Sequence, residues 1–498
     1  MNRLFLMLLI ICTFSFVAVS NLQADDPTES ADEDSAQETT DTAPVQATQQ
    51  AVTPQQRAVQ LRNELGLWMV RSAQAYSDKN YADWALSLEN LHRLRPFNAD
   101  FMRQMVMANA MSGEISRAFN IMLMMQQQGL TENWDAIDEV APLRQYDLYE
   151  HLNRLMTEAG DPLGNPEMIA TIDGAHAMPE ALAHDSRDGR LFAGTIRDGE
   201  VLVRAADDEE WQVFASRETA PSLMSVFDLL ADEERNHLWI ATGSPPQYRH
   251  RTANNFGRTA LIKLDLQTGE LLNEYRVLPN PQHPHMLGAM TLASDGTIYA
   301  ADTFAPFVFR LQPGDERPEV LLGNPVFSGL RGIALSSDEQ RLYLSDYELG
   351  LFFFDLDEQK KGFRIGIPEN LNVGGIDGLY RWNDSLIAVQ NGVSPQRVMR
   401  LDLDASGTRV ADIAPLLVAQ PEFDTPTFGT IEGNDLIFLA ASHWSKVDGN
   451  GRPLQRPLPD VPVMRVDVEE APQLVVGAEM LEEMRRRSGN SVIPIERN

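Results

Sequence analysis

The sequence predicts an all-β, six-bladed β-propeller preceded by a small α-helical domain, and three observations predict it. The hydrophobic period is helical from about residue 57 to 160 and strand-like, broken by turn signals, from about 165 to 476. In the second stretch one strand phrase recurs six times: Leu191-Phe192-Ala193-Gly194-Thr195, Leu238-Trp239-Ile240-Ala241-Thr242, Ile298-Tyr299-Ala300-Ala301-Asp302, Leu342-Tyr343-Leu344-Ser345-Asp346, Leu386-Ile387-Ala388-Val389-Gln390 and Leu436-Ile437-Phe438-Leu439-Ala440. Successive copies start 47, 60, 44, 44 and 50 residues apart, the length of a four-stranded blade. Radial repetition of such blades removes long exposed strand edges.

From the N-terminus, Arg3 precedes an apolar run from Leu4 to Val19 closed by small residues, so 1–24 is predicted to be an export signal cut after Ser20 or Ala24. An uncleaved anchor is the alternative. The protein is therefore expected to be periplasmic or secreted, with no integral membrane span in the mature chain. Residues 25–56 hold eight acidic residues and no base, with almost nothing to bury, and read as a disordered acidic linker. The whole chain of 498 residues carries a formal charge of -31, which repels phosphate backbones and excludes nucleic acid as a partner. Cys12, the only cysteine, lies in the apolar run, so no disulfide, thiolate metal site or cysteine nucleophile is available downstream.

Over 57–160, Leu61, Leu65, Trp68 and Met69, then Trp84, Leu88, Leu91 and Leu94, recur at helical spacing. Pro96, Ser112-Gly113 and Gly129 punctuate the run. Tyr81-Ala82-Asp83-Trp84-Ala85-Leu86 with Pro96 resembles tetratricopeptide repeats. That resemblance implies stacked helical hairpins which either cap the neighbouring domain or hold a protein partner. The methionine cluster (Met102, Met105, Met107, Met111, Met122, Met124 and Met125) is expected to be adaptable core.

Over 165–476 the hydrophobic residues opening the first strands of five blades align as Leu182, Leu229, Met290, Ile333 and Leu379. Two residues before each stand Glu180, Phe227, Gly288, Arg331 and Asp377, and the sixth blade points to Thr427. These side chains are expected to ring the channel mouth, where unpaired charge is costly unless a ligand, a metal or another charge meets it. His283-Pro284-His285 precedes the third ring position and offers His285 as a general base or metal ligand, or an ordinary loop residue. The long insertion Ser244 to Gly257 is basic and aromatic, either a lid or a solvated loop. Gln390-Asn391-Gly392 and His443-Trp444 follow strands and belong to the channel wall or the opposite face. Residues 477–498 form a tail.

Pro179-Glu180-Ala181-Leu182-Ala183, Asp188-Gly189-Arg190-Leu191-Phe192, Gly332-Ile333-Ala334-Leu335-Ser336 and Ile376-Asp377-Gly378-Leu379 resemble the SMP-30/gluconolactonase/LRE-like family, and the fourth-blade phrase also resembles NHL repeats. The resemblance implies a six-bladed propeller that hydrolyses lactones or related esters with a divalent cation (Ca²⁺, Mg²⁺, Mn²⁺ or Zn²⁺). It implies Glu180 and Asp377 as metal ligands and catalytic carboxylates. The family's fourth-blade Asn is Arg331 here, and its third-blade Asn-Asp is Gly288-Ala289. A guanidinium removes an oxygen ligand and places a permanent charge where the cation would sit. Two expectations follow. Either the propeller binds a small oxygen-rich molecule over the ring and hydrolyses a lactone or ester, or Arg331 locks the channel of a non-catalytic binding or assembly protein.

Overall fold

A computed structural model describes residues 54–279, 284–356 and 362–471. The readings of 1–24 as export signal, of the linker up to residue 53 and of the 477–498 tail lie outside them, as does His283. No helix among the described residues is long and apolar enough to cross a membrane.

Six four-stranded antiparallel sheets form the propeller. Five span 179–215, 225–276, 287–323, 330–364 and 376–418 in chain order. The sixth combines Gly429–Glu432, Asp435–Leu439 and Val461–Asp467 with Glu167–Ile172, a strand contributed from ahead of the first blade. Pairing of Glu167–Ile172 with Val461–Asp467 makes the strand from ahead of the first blade the outer strand of the last, which closes the ring by hydrogen bonds. The first strands of successive blades touch one another and surround the axis. The recurring phrase is the second strand of each blade, and its apolar residues are buried on both faces because each sheet packs between two neighbours. Ala181, Phe192, Val226, Leu238 and Ile240, for instance, form one cluster between the first two blades. On the far side from the mouth, hairpin serines are held by the next blade's carboxylates: Ser186 N–H to Glu233 at 2.6 Å, Ser294 N–H to Glu339 at 2.7 Å and Ser337 Oγ to Asp384 at 2.7 Å.

The helical region comprises α1 (Pro54–Ser77), α2 (Tyr81–Leu94), α3 (Ala99–Ser112), α4 (Ile115–Gln127) and α5 (Asp147–Glu158), with 3-10 turns before α5. Helix α1 begins at Pro54, three residues before the start of the helical region expected at 57. Asn80 and Asn98 accept the N–H groups of Asp83 and Phe101, and Gly113 takes the left-handed conformation (φ 84°) that ends α3. Trp84, Leu88, Leu91, Met102, Met105, Met107, Met122, Met125 and Trp134 are buried together, so these five methionines are core as expected, while Met124 packs against the cluster half-buried and Met111 lies outside it.

One side of this region is committed to the propeller. Arg95 Nε pairs with Glu348 at 2.5 Å, and Phe97 lies against Gly350 and Gly374. Arg397 Nη1 donates to the carbonyl of Gln128, the residue capping α4, at 2.9 Å. The propeller residues involved are Glu348 in a loop between second and third strands, Gly350 and Arg397 at the starts of third strands, and Gly374 in the connection from the fourth to the fifth blade. By strand direction these all lie at the end where the axial strands begin. A Cβ on Gly374 would stand 2.6 Å from the Phe97 carbonyl oxygen, closer than backbone tolerates. Gly374→Ala is therefore expected to destabilise the chain by roughly 1–3 kcal/mol, read as a lowered urea midpoint; an unchanged midpoint would show that this docking contact is loose.

Candidate site at the axial mouth

In five blades the ring position falls on an irregularity of the axial strand. The pairing register skips between Pro179 and Ala181, Val226 and Asp228, Leu287 and Ala289, Leu330 and Ile333, and Ile376 and Gly378. The residues passed over are Glu180, Phe227, Gly288, Arg331 with Gly332, and Asp377. A bulge frees a residue from the ladder and re-aims its side chain, here five times at equivalent positions. Thr427 stands two residues before the sixth axial strand.

Asp377 is buried, and its Oδ2 accepts from Asn391 Nδ2 at 2.9 Å and from Thr427 Oγ1 at 3.2 Å. Its Oδ1 has no hydrogen-bond partner among the described residues and stands 3.8 Å from Arg331 Nε. The Arg331 guanidinium lies 5.7 Å from the centre of the Tyr347 ring, its side chain is 33% exposed, and it makes no hydrogen bond among the described residues. Tyr347 in turn donates its hydroxyl to Asn391 Oδ1 at 2.9 Å. Burial, and then the Asp377 charge, raise the Tyr347 pKa, with Arg331 opposing.

Glu180 is buried and accepts the Trp444 indole N–H at 2.8 Å. Burial pushes its carboxyl up to about 8, the Asp377 charge adds to this, and Trp444 and Arg331 act against it. Glu180 is thus neutral at pH 7 beside an Asp377–Arg331 ion pair. Phe227 and Trp444 pack on the Met178, Ile196, Val447 and Leu458 cluster, which gives this side of the mouth an apolar wall. Met178, two residues before Glu180, has a positive φ of 63° and donates its N–H to His443 Nδ1 at 3.1 Å, while His443 Nε2 donates to the Pro459 carbonyl at 2.8 Å. His443 is therefore a neutral positioning group.

Arg331 and Thr427 thus stand against Asp377, and Glu180 lies where the Asp377 and Arg331 charges act on it. His285 is placed elsewhere: its Nδ1 is 2.6 Å from Asp302 Oδ2, and its ring stands edge-on to Phe307 and Phe309 inside the third blade. It ties the start of the third axial strand to Asp302 at the end of that blade's second strand, and no contact among the described residues joins it to Glu180, Arg331 or Asp377. Gly288 leaves a gap that Thr303 fills, since a Cβ there would sit 2.0 Å from Thr303 Oγ1. The Ser244 to Gly257 insertion is a tied loop rather than a lid. Arg249 Nη1 pairs with Asp198 at 2.8 Å, Arg249 N–H reaches the Arg197 carbonyl at 2.8 Å, and Tyr248 is buried.

Three participants were not anticipated as site residues. Trp444, Asn391 and Tyr347 come from loops after second strands, two of them in segments that the sequence left between channel wall and opposite face. Asp228, the neighbour of Phe227, is a separate buried carboxylate that accepts the N–H groups of Met290 at 2.6 Å and Leu229 at 2.9 Å, and burial pushes it up to about 7. The residue directly after each recurring phrase is the signal that points to Tyr347, Asn391 and Thr303.

A divalent cation does not fit this donor set. No three Asp, Glu or His side chains converge among the described residues. One oxygen of Glu180 and one of Asp377 already accept hydrogen bonds, and the guanidinium faces the remaining Asp377 oxygen. At ~4 Å and an effective dielectric of ~20 a full charge repels a divalent ion by several kcal/mol.

No protein-family model matches the chain, and no curated protein matches it. Solved structures do. The PQQ-bound aldose sugar dehydrogenase of Streptomyces coelicolor is 14% identical over 62% of this chain and 98% of that one, with a TM-score of 0.41. A luciferin-regenerating enzyme is 12% identical over 62% and 97%, TM-score 0.43. A calcium-binding protein, regucalcin, of Agrobacterium tumefaciens is 15% identical over 61% and 97%, TM-score 0.41. At these scores the likenesses carry no argument about the site, and the architecture rests on the six sheets themselves.

Proposed function

We propose that this protein binds a small, uncharged, oxygen-rich molecule over the axial mouth of its propeller, and does so without a divalent cation. The observation that supports this most is the unmatched pair at the centre. Among the described residues, a buried Asp377 oxygen with no hydrogen-bond partner faces a guanidinium that makes no hydrogen bond. A hydroxyl donating to Asp377 Oδ1 and a carbonyl or ether oxygen accepting from Arg331 would satisfy both, with Glu180 as a further donor. Neutral Glu180 and the ion pair sum to no net charge, so an uncharged ligand is not repelled. Phe227 and Trp444 supply the apolar face that pockets for small molecules combine with few polar groups. A lactone or ester carbonyl placed there would meet an acid (Glu180), a base for water (Asp377) and a cation for the developing oxyanion (Arg331), the groups such a hydrolysis uses.

Calorimetry and thermal-shift measurements with lactones, esters and polyols test the proposal. Binding should survive chelator, weaken at least about tenfold, or ~1.4 kcal/mol, in Asp377→Asn and Arg331→Met, and be accompanied by hydrolysis where the ligand is an ester. Arg331→Asn should gain Mn²⁺ affinity that the wild type lacks. Chelator-sensitive binding by the wild type would refute the cation-free reading, and binding indifferent to both substitutions would remove the site.

A further inference from the structure

We infer that the helical region is part of the axial site, with Phe97 a positioning residue that holds Asp377 through the segment 372–375. The chain of contacts is short. Phe97 packs its backbone and Cβ against Gly374, where a Cβ would stand 2.6 Å from its carbonyl oxygen and 2.8 Å from its Cβ, and lays its ring on Gly350. Gly374 is three residues before Asp377. The next residue, Gly375, is in the left-handed region (φ 67°) and bonds both loops that hold the site: its N–H donates to the Tyr347 carbonyl at 2.7 Å, and its carbonyl accepts from Asn391 N–H at 3.0 Å. A Cβ on Gly392 would meet Gly375 Cα at 2.5 Å and the Tyr347 hydroxyl at 2.6 Å, so three loop backbones are packed with no slack. Asn391 donates to Asp377 Oδ2 beside Thr427, and Tyr347 holds Asn391 in that position.

The helical region grips the same segment a second time. Gln128 Oε1 accepts from Asn372 Nδ2 at 3.2 Å, and Arg397 bridges the carbonyls of Gln128 and Asn372 at 2.9 and 3.4 Å. Asn372 Oδ1 in turn accepts the N–H of Gly374 at 2.9 Å. The strand entering Asp377 is therefore clamped from the helical side at Phe97 and at Gln128. In a close-packed loop cluster of this kind, displacement at one contact is passed on rather than absorbed.

The test reads Asp377 through its neighbour. The indole ¹⁵N resonance of Trp444, in the full-length protein without ligand, follows the ionisation of Glu180, whose midpoint near 8 is raised in part by the Asp377 charge. Phe97→Ala, by loosening Asp377 and admitting water, should lower that midpoint by roughly half a pH unit or more; Phe97→Leu should restore part of it, and Leu67→Ala on the exposed side of α1 should leave it unmoved. Gln128→Ala is the milder variant should Phe97→Ala fail to fold, and the same direction is expected. A melting temperature that falls while the Trp444 midpoint stays fixed in the Phe97 and Gln128 variants would overturn the inference and leave the helices as a cap. The inference rests on the proposed binding role only for its consequence, a loss of ligand affinity of about tenfold in Phe97→Ala. A moved midpoint in a protein that takes no ligand would defeat the proposed function and leave this positioning role standing.

Discussion

Glu180→Gln should make the protein more stable than the wild type at pH 8 and above, and flatten the slope of stability between pH 4.5 and 8. The carboxyl has an ordinary value of 4.5 and is raised to about 8 in the folded chain. Between those limits the folded state holds a proton that the unfolded state has released, so stability falls as pH rises. Its contribution is fully present below about 4.5 and is lost by about 8. The slope is about 1.4 kcal/mol per pH unit, on the order of 4–5 kcal/mol across the window. Glutamine keeps an oxygen for the Trp444 indole and carries no charge to desolvate, so the variant should lack this term. Urea midpoints of both proteins, measured across the window, isolate the difference from every other titrating group. Parallel profiles would mean that Glu180 is solvated and that the mouth is wetter and less coupled than its contacts imply.

The ring was legible because repetition is a sequence property: six copies of one phrase locate six axial strands, and counting back from their first apolar residues lands on Glu180, Arg331 and Asp377. The bulges explain why the count works: each moves the ring residue out of the ladder, and in the second blade that residue is Phe227, with Asp228 back in register opposite Ala241. The supporting shell was harder to read. Trp444 reaches Glu180 across 264 residues and Asn391 reaches Asp377 across 14, from loops whose direction no periodicity encodes. His285 shows the converse. A His-Pro-His run looks like chemistry in one dimension, and only the folded hairpin reveals that Asp302 engages the imidazole. Nothing local in the sequence says which loops the helical region touches, because the groups it meets are largely backbone carbonyls and glycines.

Arg397 is where the second large effect is expected: Arg397→Met should cost roughly 2–4 kcal/mol and separate the unfolding of the helical region from that of the propeller. The guanidinium is buried, and burial alone lowers it to about 10. Among the described residues it meets only uncharged acceptors: Gln390 Oε1 at 2.5 Å, the Gln128 carbonyl at 2.9 Å and the Asn372 carbonyl at 3.4 Å. Gln128 caps α4, so the cation also sits at the negative end of a helix dipole. Methionine fills much of the volume but leaves those acceptors buried and unsatisfied, which outweighs the relief of removing a desolvated charge. Because one acceptor belongs to the helices and the others to the fifth blade and the segment leading into it, the loss falls on the joint rather than on either core. Urea unfolding followed by tryptophan fluorescence should then show two transitions in place of one, and limited proteolysis should open the chain near residues 129–133 before the blades. A single transition at an unchanged midpoint would mean that Phe97 and the Arg95–Glu348 pair suffice to hold the joint, and that the buried arginine contributes little beyond filling space.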